Sequence, residues 1–254
     1  MSVLTVRGLS KSFGGVRAVR ELDFDVAEGE VVAMIGPNGA GKTTCFNMIG
    51  GQLRPDAGSI VFRERQIAGL GARRIWRLGV GRTFQLTQTF ASMTVRENVQ
   101  AALISHRRRT RAVFAKAKNQ FAADADALLA SVRLGDQAER ARASLAYGDL
   151  KRLELAMALA NAPRLLLLDE PTAGVSASER QAQMALIADV VSERRISVLF
   201  TEHDMDVVFG HATRVLVLHR GALLAEGDPD SVRADVRVRE IYLGSGVVDA
   251  RAGG

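Results

Sequence analysis

Three short apolar runs stand out because they do not alternate with polar residues: "EVVAMIG" from Glu30 to Gly36, "RLLLLDE" from Arg164 to Glu170, and "RISVLFTEH" from Arg195 to His203. Unbroken runs of this length predict strands covered on both faces, as in a parallel sheet. Between the last two runs, "SERQAQMALIADVVSERR" brings Met184, Ile187, Val190 and Val191 to one side at helical spacing. Ser176, with Glu179 three residues later, predicts a capping box at the start of that helix. Strands alternating with helices predict an α/β sheet with helices packed on it.

Two other patterns frame this core. The first 30 residues and "RVLVLHRGALLAEG" alternate, with turn signals at Gly14-Gly15 and Arg220-Gly221, and predict antiparallel strands flanking the main sheet. From about 86 to 160 the period becomes helical: Phe121, Leu128, Leu129 and Val132 share one face, and Leu153, Ala156 and Leu159 another. No buried-strand run interrupts this stretch, which predicts a helical lobe inserted into the sheet domain. The last residues, "SGVVDARAGG", are small and polar enough to fray. A chain of 254 residues is near the upper limit for one core. The expected organisation is therefore one domain over 1–254, with a core of 1–85 and 161–244, a helical subdomain of about 86–160 and a flexible tail of 245–254.

Composition changes this picture little. Hydrophobic residues at 47% and charged residues at 24% are ordinary globular values, which excludes disordered and fibrous classes. "MSVLTVRGLSKSF" lacks the apolar stretch of a signal peptide, and no run approaches the roughly 20 apolar residues of a spanning helix. The chain is not expected to cross a membrane by itself. The one cysteine, Cys45, has no internal disulfide partner, which fits a reducing cytosol. A net charge of +6 invites a nucleic-acid reading, but the arginines are scattered. The exception is "HRRRTR", His106 to Arg111, a local cluster able to sit on phosphates or anionic lipid head groups, although no aromatic residue is interleaved for base stacking. It is read as an exposed turn between helices, and no nucleic-acid partner is expected.

The chemistry begins at "GPNGAGKTT": Gly36, Pro37, Asn38, Gly39, Ala40, Gly41, Lys42, Thr43 and Thr44. It fits the phosphate-loop pattern of Gly, four residues, Gly-Lys and Ser or Thr. Such a loop points its amides inward around a phosphate chain, and its glycines permit the backbone angles and the close approach. Lys42 supplies positive charge for the β and γ phosphates, Thr43 a hydroxyl for Mg²⁺, and the following helix its N-terminus. The loop follows a predicted buried strand and opens a predicted helix, as phosphate binding requires. At the end of another buried strand, Asp169 suits Mg²⁺ held through its water shell, and Glu170 can orient and deprotonate a water attacking the γ-phosphate.

With these motifs the chain resembles the nucleotide-binding subunits of ATP-binding cassette (ABC) transporters over essentially its whole length. The resemblance implies a P-loop NTPase fold with a parallel core sheet, an antiparallel β subdomain and an inserted helical subdomain. It implies ATP and Mg²⁺ as ligands. Phe13 in "KSFGG" matches the aromatic residue that stacks on adenine, although a lone Phe near a turn also fits core packing. Gln85 in "RTFQLTQTF" matches the glutamine that reaches Mg²⁺ and the attacking water. His203 in "LFTEHD" matches a switch histidine at the γ-phosphate, the bland alternative being a satisfied core histidine.

In this family the phosphate loop of one subunit faces a signature segment, usually Leu-Ser-Gly-Gly-Gln, of another. Here Leu145, Ala146, Tyr147, Gly148 and Asp149 read "LAYGD". The serine hydroxyl is lost at Ala146 and Tyr147 replaces a glycine. A helix start keeps some grip on a γ-phosphate through its dipole. Asp149 is expected to cap that helix and oppose an anion, and Tyr147 alternatively serves packing. The grip is expected to weaken by about 1 kcal/mol, one hydrogen bond.

"LAYG", "RTFQ", "DEPTAGVS" in place of the usual Ser-Ala-Leu-Asp turn, and the terminal "IYLGS" look like the ATPases of branched-chain (hydrophobic) amino acid importers. The resemblance then implies permease subunits, a second ATPase subunit (the same chain or a sister), indirect dependence on a periplasmic solute-binding protein, and a peripheral place at the cytoplasmic face of the inner membrane. The alternatives are the ATPase of another ABC system, such as lipopolysaccharide export, a soluble cassette ATPase acting on nucleic acid or ribosomes, and a non-hydrolysing regulatory module.

Overall fold

In the computed structural model, which describes residues 1–83, 89–107 and 121–243, the three unalternating runs become parallel strands. β3 (Val31–Ile35) and β7 (Leu165–Asp169) lie on either side of β8 (Ser197–Thr201). β6 (Val80–Arg82) extends the sheet beyond β7, and β9 (Arg214–His219) lies parallel to β3 on the other side. β10 (Ala222–Gly227) returns antiparallel at the edge, giving the order β10-β9-β3-β8-β7-β6. The β9–β10 hairpin turns where predicted, but it joins the main sheet rather than flanking it, because β9 pairs with β3 from Val32↔Arg214 to Ile35↔Val217.

Both faces of this sheet are apolar for a geometrical reason: successive side chains on a strand point to opposite faces. Ala33, Ile35, Leu166, Leu168, Val198 and Phe200 enter one core, and Val32, Met34, Leu165, Leu167 and Leu199 the other. A second sheet covers the latter face. Its strands, β1 (Ser2–Phe13), β2 (Val16–Ala27), β4 (Ala57–Phe62) and β5 (Arg65–Gln66), run antiparallel in the order β2-β1-β4-β5.

Helix α1 (Lys42–Ile49) contributes to that same core, with Cys45, Phe46, Met48 and Ile49 fully buried. Burial pushes the Cys45 thiol up to about 12. It is therefore expected to resist a thiol reagent at pH 8 in the folded protein and to react stoichiometrically in denaturant. Rapid labelling without denaturant would show that α1 opens on its own.

Helices close the other face. After α2 (Ala72–Leu78) come α3 (Val95–His106), α4 (Ala122–Ser131) and α5 (Tyr147–Leu159), which pack on one another. Leu128, Leu129, Val132, Leu153, Ala156 and Leu159 are buried as their spacing predicts, and Phe121 packs against them. Thr94 and Glu97 form a complete capping box on α3, a start signal not singled out in the sequence. α6 (Ala177–Arg194) buries Met184, Ile187, Val190 and Val191. Ser176 is its N-cap residue, yet the predicted capping box does not form: the Ser176 hydroxyl donates to Glu179 Oε2 at 2.5 Å instead of accepting from a backbone amide. α7 (Met205–His211), α8 (Pro229–Ala234) and α9 (Val236–Leu243) complete the described chain.

Of the first two residues of the basic cluster, Arg107 lies exposed in a turn as expected, whereas His106 is half-buried at the end of a helix. His106 ends α3 edge-on to the Trp76 ring, and Arg107 pairs with Asp124 at 3.0 Å. Residues 108–111, Gln85 and the tail expected to fray lie outside the described residues. No described helix is long and apolar enough to cross a membrane.

Candidate functional site

The site grows from the C-terminal ends of β3, β7 and β8, where open parallel sheets hold their ligands. Gly36 follows β3, and a Cβ there would stand 2.2 Å from the Leu218 carbonyl oxygen on β9. Gly41, at φ +104°, would place a Cβ 2.4 Å from the Ala18 carbonyl oxygen on β2. The loop between them is thus gripped by both sheets, which leave Asn38 and Gly39 exposed. Ala40 is buried beneath it, its carbonyl accepting from the Gly221 amide at 3.0 Å. Pro37 and Thr44 are half-buried and Thr43 is exposed at the first turn of α1.

Lys42 begins that helix, and its side chain folds along the loop, donating to the Gly36 carbonyl at 2.6 Å and the Pro37 carbonyl at 3.3 Å. Burial draws its pKa below that of an ordinary lysine, while Glu170 and Asp169 act to raise it. The loop, the lysine and the acidic couple therefore share one electrostatic environment.

Asp169, the last residue of β7, is buried and engaged on both oxygens. Oδ1 accepts from the Thr201 hydroxyl at 2.8 Å, and Oδ2 lies 3.4 Å from Arg82 Nη2. Arg82 also donates to the Phe46 carbonyl, Gln52 Oε1 and Asn47 Oδ1 at 3.1, 2.7 and 2.8 Å. It therefore ties the end of α1 to the end of β7. Burial lowers its pKa, opposed by the neighbouring Asp169 carboxylate. Arg82 escaped sequence reasoning because its acidic partner lies 87 positions away and no local spacing marks it.

Glu170 adopts a left-handed backbone, φ +50°, unusual for a residue with a side chain. Such conformations cost of order 1–3 kcal/mol and persist where the surroundings over-determine them. Here the Glu170 amide donates to both the carbonyl and the hydroxyl of Thr201, at 3.1 and 3.2 Å. The bend turns the side chain so that Oε1 lies 3.0 Å from His203 Nε2. Behind them the buried Glu202 accepts the His203 amide on one oxygen and the Thr172 amide and hydroxyl on the other. His203 is exposed, so it is not a satisfied core histidine.

A cleft of about 740 Å³ brings together Phe13, the loop from Asn38 to Thr44, Glu170 and His203. Phe13 is 47% exposed, which excludes core packing, and Lys11 Nζ stands 5.6 Å from its ring centroid. Arg17, Arg20 and Arg220 add positive charge to the wall. A cleft that combines an aromatic face, a lysine-bearing glycine loop and an acid–histidine couple suits a nucleoside triphosphate.

The predicted signature residues do not line this cleft. Leu145 is buried in the helical core, Ala146 is the N-cap residue of α5, and Tyr147, Gly148 and Asp149 form its first turn. Asp149 does not cap the helix as expected. Its carboxylate turns away to accept from Gln137 Nε2 at 3.0 Å and lies 3.4 Å from Arg152 Nη1, which offsets its charge. A Cβ on Gly148 would meet nothing, so this chain's own packing does not require glycine there.

Comparison with known proteins agrees with this geometry. Residues 19–173 match the ABC transporter family, and residues 222–248 match a family described as branched-chain amino acid ATP-binding cassette transporter. The chain is 40% identical over 250 residues to the high-affinity branched-chain amino acid transport ATP-binding protein LivG of Salmonella typhimurium, covering 95% of this chain and 98% of that one. A crystal structure of the ADP conformation of an ATP-binding cassette of an ABC transporter superposes with a TM-score of 0.86 at 28% identity, covering 96% and 99% of the two chains. A dimeric cassette in a post-hydrolysis state bound to ADP and Pi gives 0.77 at 25% identity, covering 89% and 98%. With a phosphate loop, Glu170 and a histidine lining one cleft, and a family match over more than half its length, the chain belongs to the ABC transporter family as an ATP-hydrolysing subunit.

Proposed function

We propose that this chain powers the import of branched-chain or other hydrophobic amino acids through a membrane ABC transporter. The observation that carries the catalytic part is the convergence of Phe13, Lys42, Glu170 and His203 on one cleft. The C-terminal match and the likeness to LivG support the solute class. In this reading adenine lies against Phe13, and the triphosphate lies on the amides of Gly36 to Thr44 with Lys42 at its β and γ phosphates. Glu170 orients a water for in-line attack and takes its proton, with His203 beside the γ-phosphate. Positioning and charge neutralisation do most of the work in such a reaction.

The residues present fit Mg²⁺. Thr43 offers an exposed hydroxyl, whereas both Asp169 oxygens are already engaged, which suits contact through water. Among the described residues no cluster of three or more His, Cys, Asp or Glu side chains builds a protein cage for a metal. That fits an ion taking most of its ligands from phosphate and water, with Gln85 as the further expected contact. When bound, it neutralises charge on the phosphates.

A second ATPase subunit, the same chain or a sister, supplies the signature. Leu145 to Asp149 in turn cover that subunit's ATP, a role supported by their place off the cleft and by the open Gly148. The serine hydroxyl missing at Ala146 leaves the grip about 1 kcal/mol weaker, and Arg152 softens the opposition of Asp149. The chain is organised as a core of 1–85 and 161–244 with a helical subdomain of about 86–160. A groove of about 330 Å³ between the two, lined by Ile75, Trp76, Ala102 and Met157, is the proposed seat of a permease loop at the cytoplasmic face of the inner membrane. A periplasmic solute-binding protein acts at a distance.

Purification of the tagged chain from membranes, with mass identification of its partners, tests the transporter role, and uptake of labelled leucine after deletion tests the solute. Permease subunits in the complex and lost leucine uptake are expected. A complex without membrane proteins would remove the role, and undiminished leucine uptake would remove the solute.

A further inference from the structure

The two stretches that depart most from the family's usual motifs, "LAYGD" and "TAGVS", meet in space. Tyr147 opens α5, and Gly174 lies in the turn that follows Glu170. A Cβ on Gly174 would come within 2.7 Å of Tyr147 Cε1 and 3.0 Å of Cζ. The ring therefore rests on bare backbone, in space that a side chain at 174 would occupy. Tyr147 nevertheless remains 43% exposed, too open to act as an ordinary core residue. One helical turn on, Lys151 Nζ stands 5.7 Å from the ring centroid and pairs with the buried Glu154 at 3.5 Å, so the ring also contacts a fixed neighbour on its own helix.

The turn beneath the ring leads directly to the chemistry. The Ala173 amide donates to the Glu170 carbonyl at 3.1 Å, and the Val175 amide to the Thr172 carbonyl at 3.1 Å. Thr172 in turn holds Glu202, which receives the His203 amide. Glu170 and Gly174 both have left-handed backbones, φ +50° and +76°. Gly174 adopts its angle without steric cost, whereas Glu170 is held in its angle by its surroundings.

We propose that Tyr147 is a positioning residue. It sets the turn carrying Glu170 against the start of α5, so that the helix end offered to one nucleotide and the carboxylate facing the other shift together. The proposal rests on the assignment of Glu170 as the residue that orients the water. Loss of the ring removes this lateral support while the Thr172–Glu202 bonds persist, so the effect falls on geometry rather than on folding. A displacement near 1 Å at a reacting group costs up to about 10²-fold in rate.

The test uses the chain purified with its partner subunits, reading kcat and KM for ATP together with thermal stability. Tyr147→Phe keeps the contacting ring carbons and is expected to keep kcat within about twofold. Tyr147→Ala is expected to lower kcat about tenfold with little change in KM or Tm, as a misplaced reacting group does. The proposal is overturned if Tyr147→Ala retains kcat within about twofold, or if its loss is matched by a fall in Tm. Glu170→Gln measured alongside separates the two levels: full turnover there removes the Glu170 assignment, whereas its loss together with normal Tyr147→Ala turnover removes only the strut.

Discussion

Replacing Glu170 with Gln is expected to cut ATP turnover by about 10²–10⁴-fold, the usual contribution of a positioned acid or base, and to leave ATP binding intact. The substitution is nearly isosteric, and the backbone bend at Glu170 is fixed by Thr201 through its amide, not by the carboxylate. A glutamine oxygen can still accept from His203 Nε2. What disappears is a basic oxygen and one negative charge beside Lys42. Removing that charge weakens repulsion of the γ-phosphate, so affinity for ATP should hold or rise slightly. Single-turnover hydrolysis and equilibrium binding, measured on the same preparation, check both halves. Turnover within about twofold of the unaltered chain would take Glu170 out of its role.

The second large effect is on stability. Arg82→Met should destabilise the fold by about 3–5 kcal/mol, the cost of breaking a buried ion pair from one side. Both side chains are nearly inaccessible, at 8% and 6% exposure. Without Arg82 the Asp169 carboxylate keeps, among the described residues, only the hydrogen bond from the Thr201 hydroxyl, and Asn47 and Gln52 lose their shared donor. For a domain of this size the melting temperature should fall by roughly 10 °C. Adding Asp169→Asn should recover part of that loss, because the neutral amide no longer leaves a buried charge unpaired. Thermal unfolding of the single and double variants measures both shifts; a loss below about 1 kcal/mol would mean that the pair only offsets its own desolvation.

The contiguous parts of this site are legible in the amino-acid order alone. The glycine loop, Lys42, Asp169 and Glu170 lie within two short runs, each bounded by an unalternating strand. The parts assembled by sheet pairing are not legible in that way. Arg82 and Thr201 reach Asp169 through parallel registers, Arg82↔Leu167 on one side and Asp169↔Thr201 on the other. β6 has only three residues, too few to show a period, and its Gly81 fits against the Ala158 carbonyl, where a Cβ would come within 2.7 Å. Asp149 misleads for a related reason. Residue type and place suggest a cap, but Gln137, from a separate one-turn segment, intercepts the carboxylate. Ser176 likewise has the right position and the wrong partner. Local rules identify which residues are able to bond; distant chain decides which bonds form.

Strand β7 shows what such distant control means for folding. Four consecutive leucines cannot tell a strand where to stop, since a slip by one residue would still put leucine against each neighbouring apolar layer. The ambiguity ends at Asp169, which finds a hydroxyl and a guanidinium only in one frame. A slip in either direction would strand a carboxylate among hydrocarbon or carry it past both partners. The charge proposed to serve the nucleotide thus doubles as the marker by which the chain counts its place in the sheet.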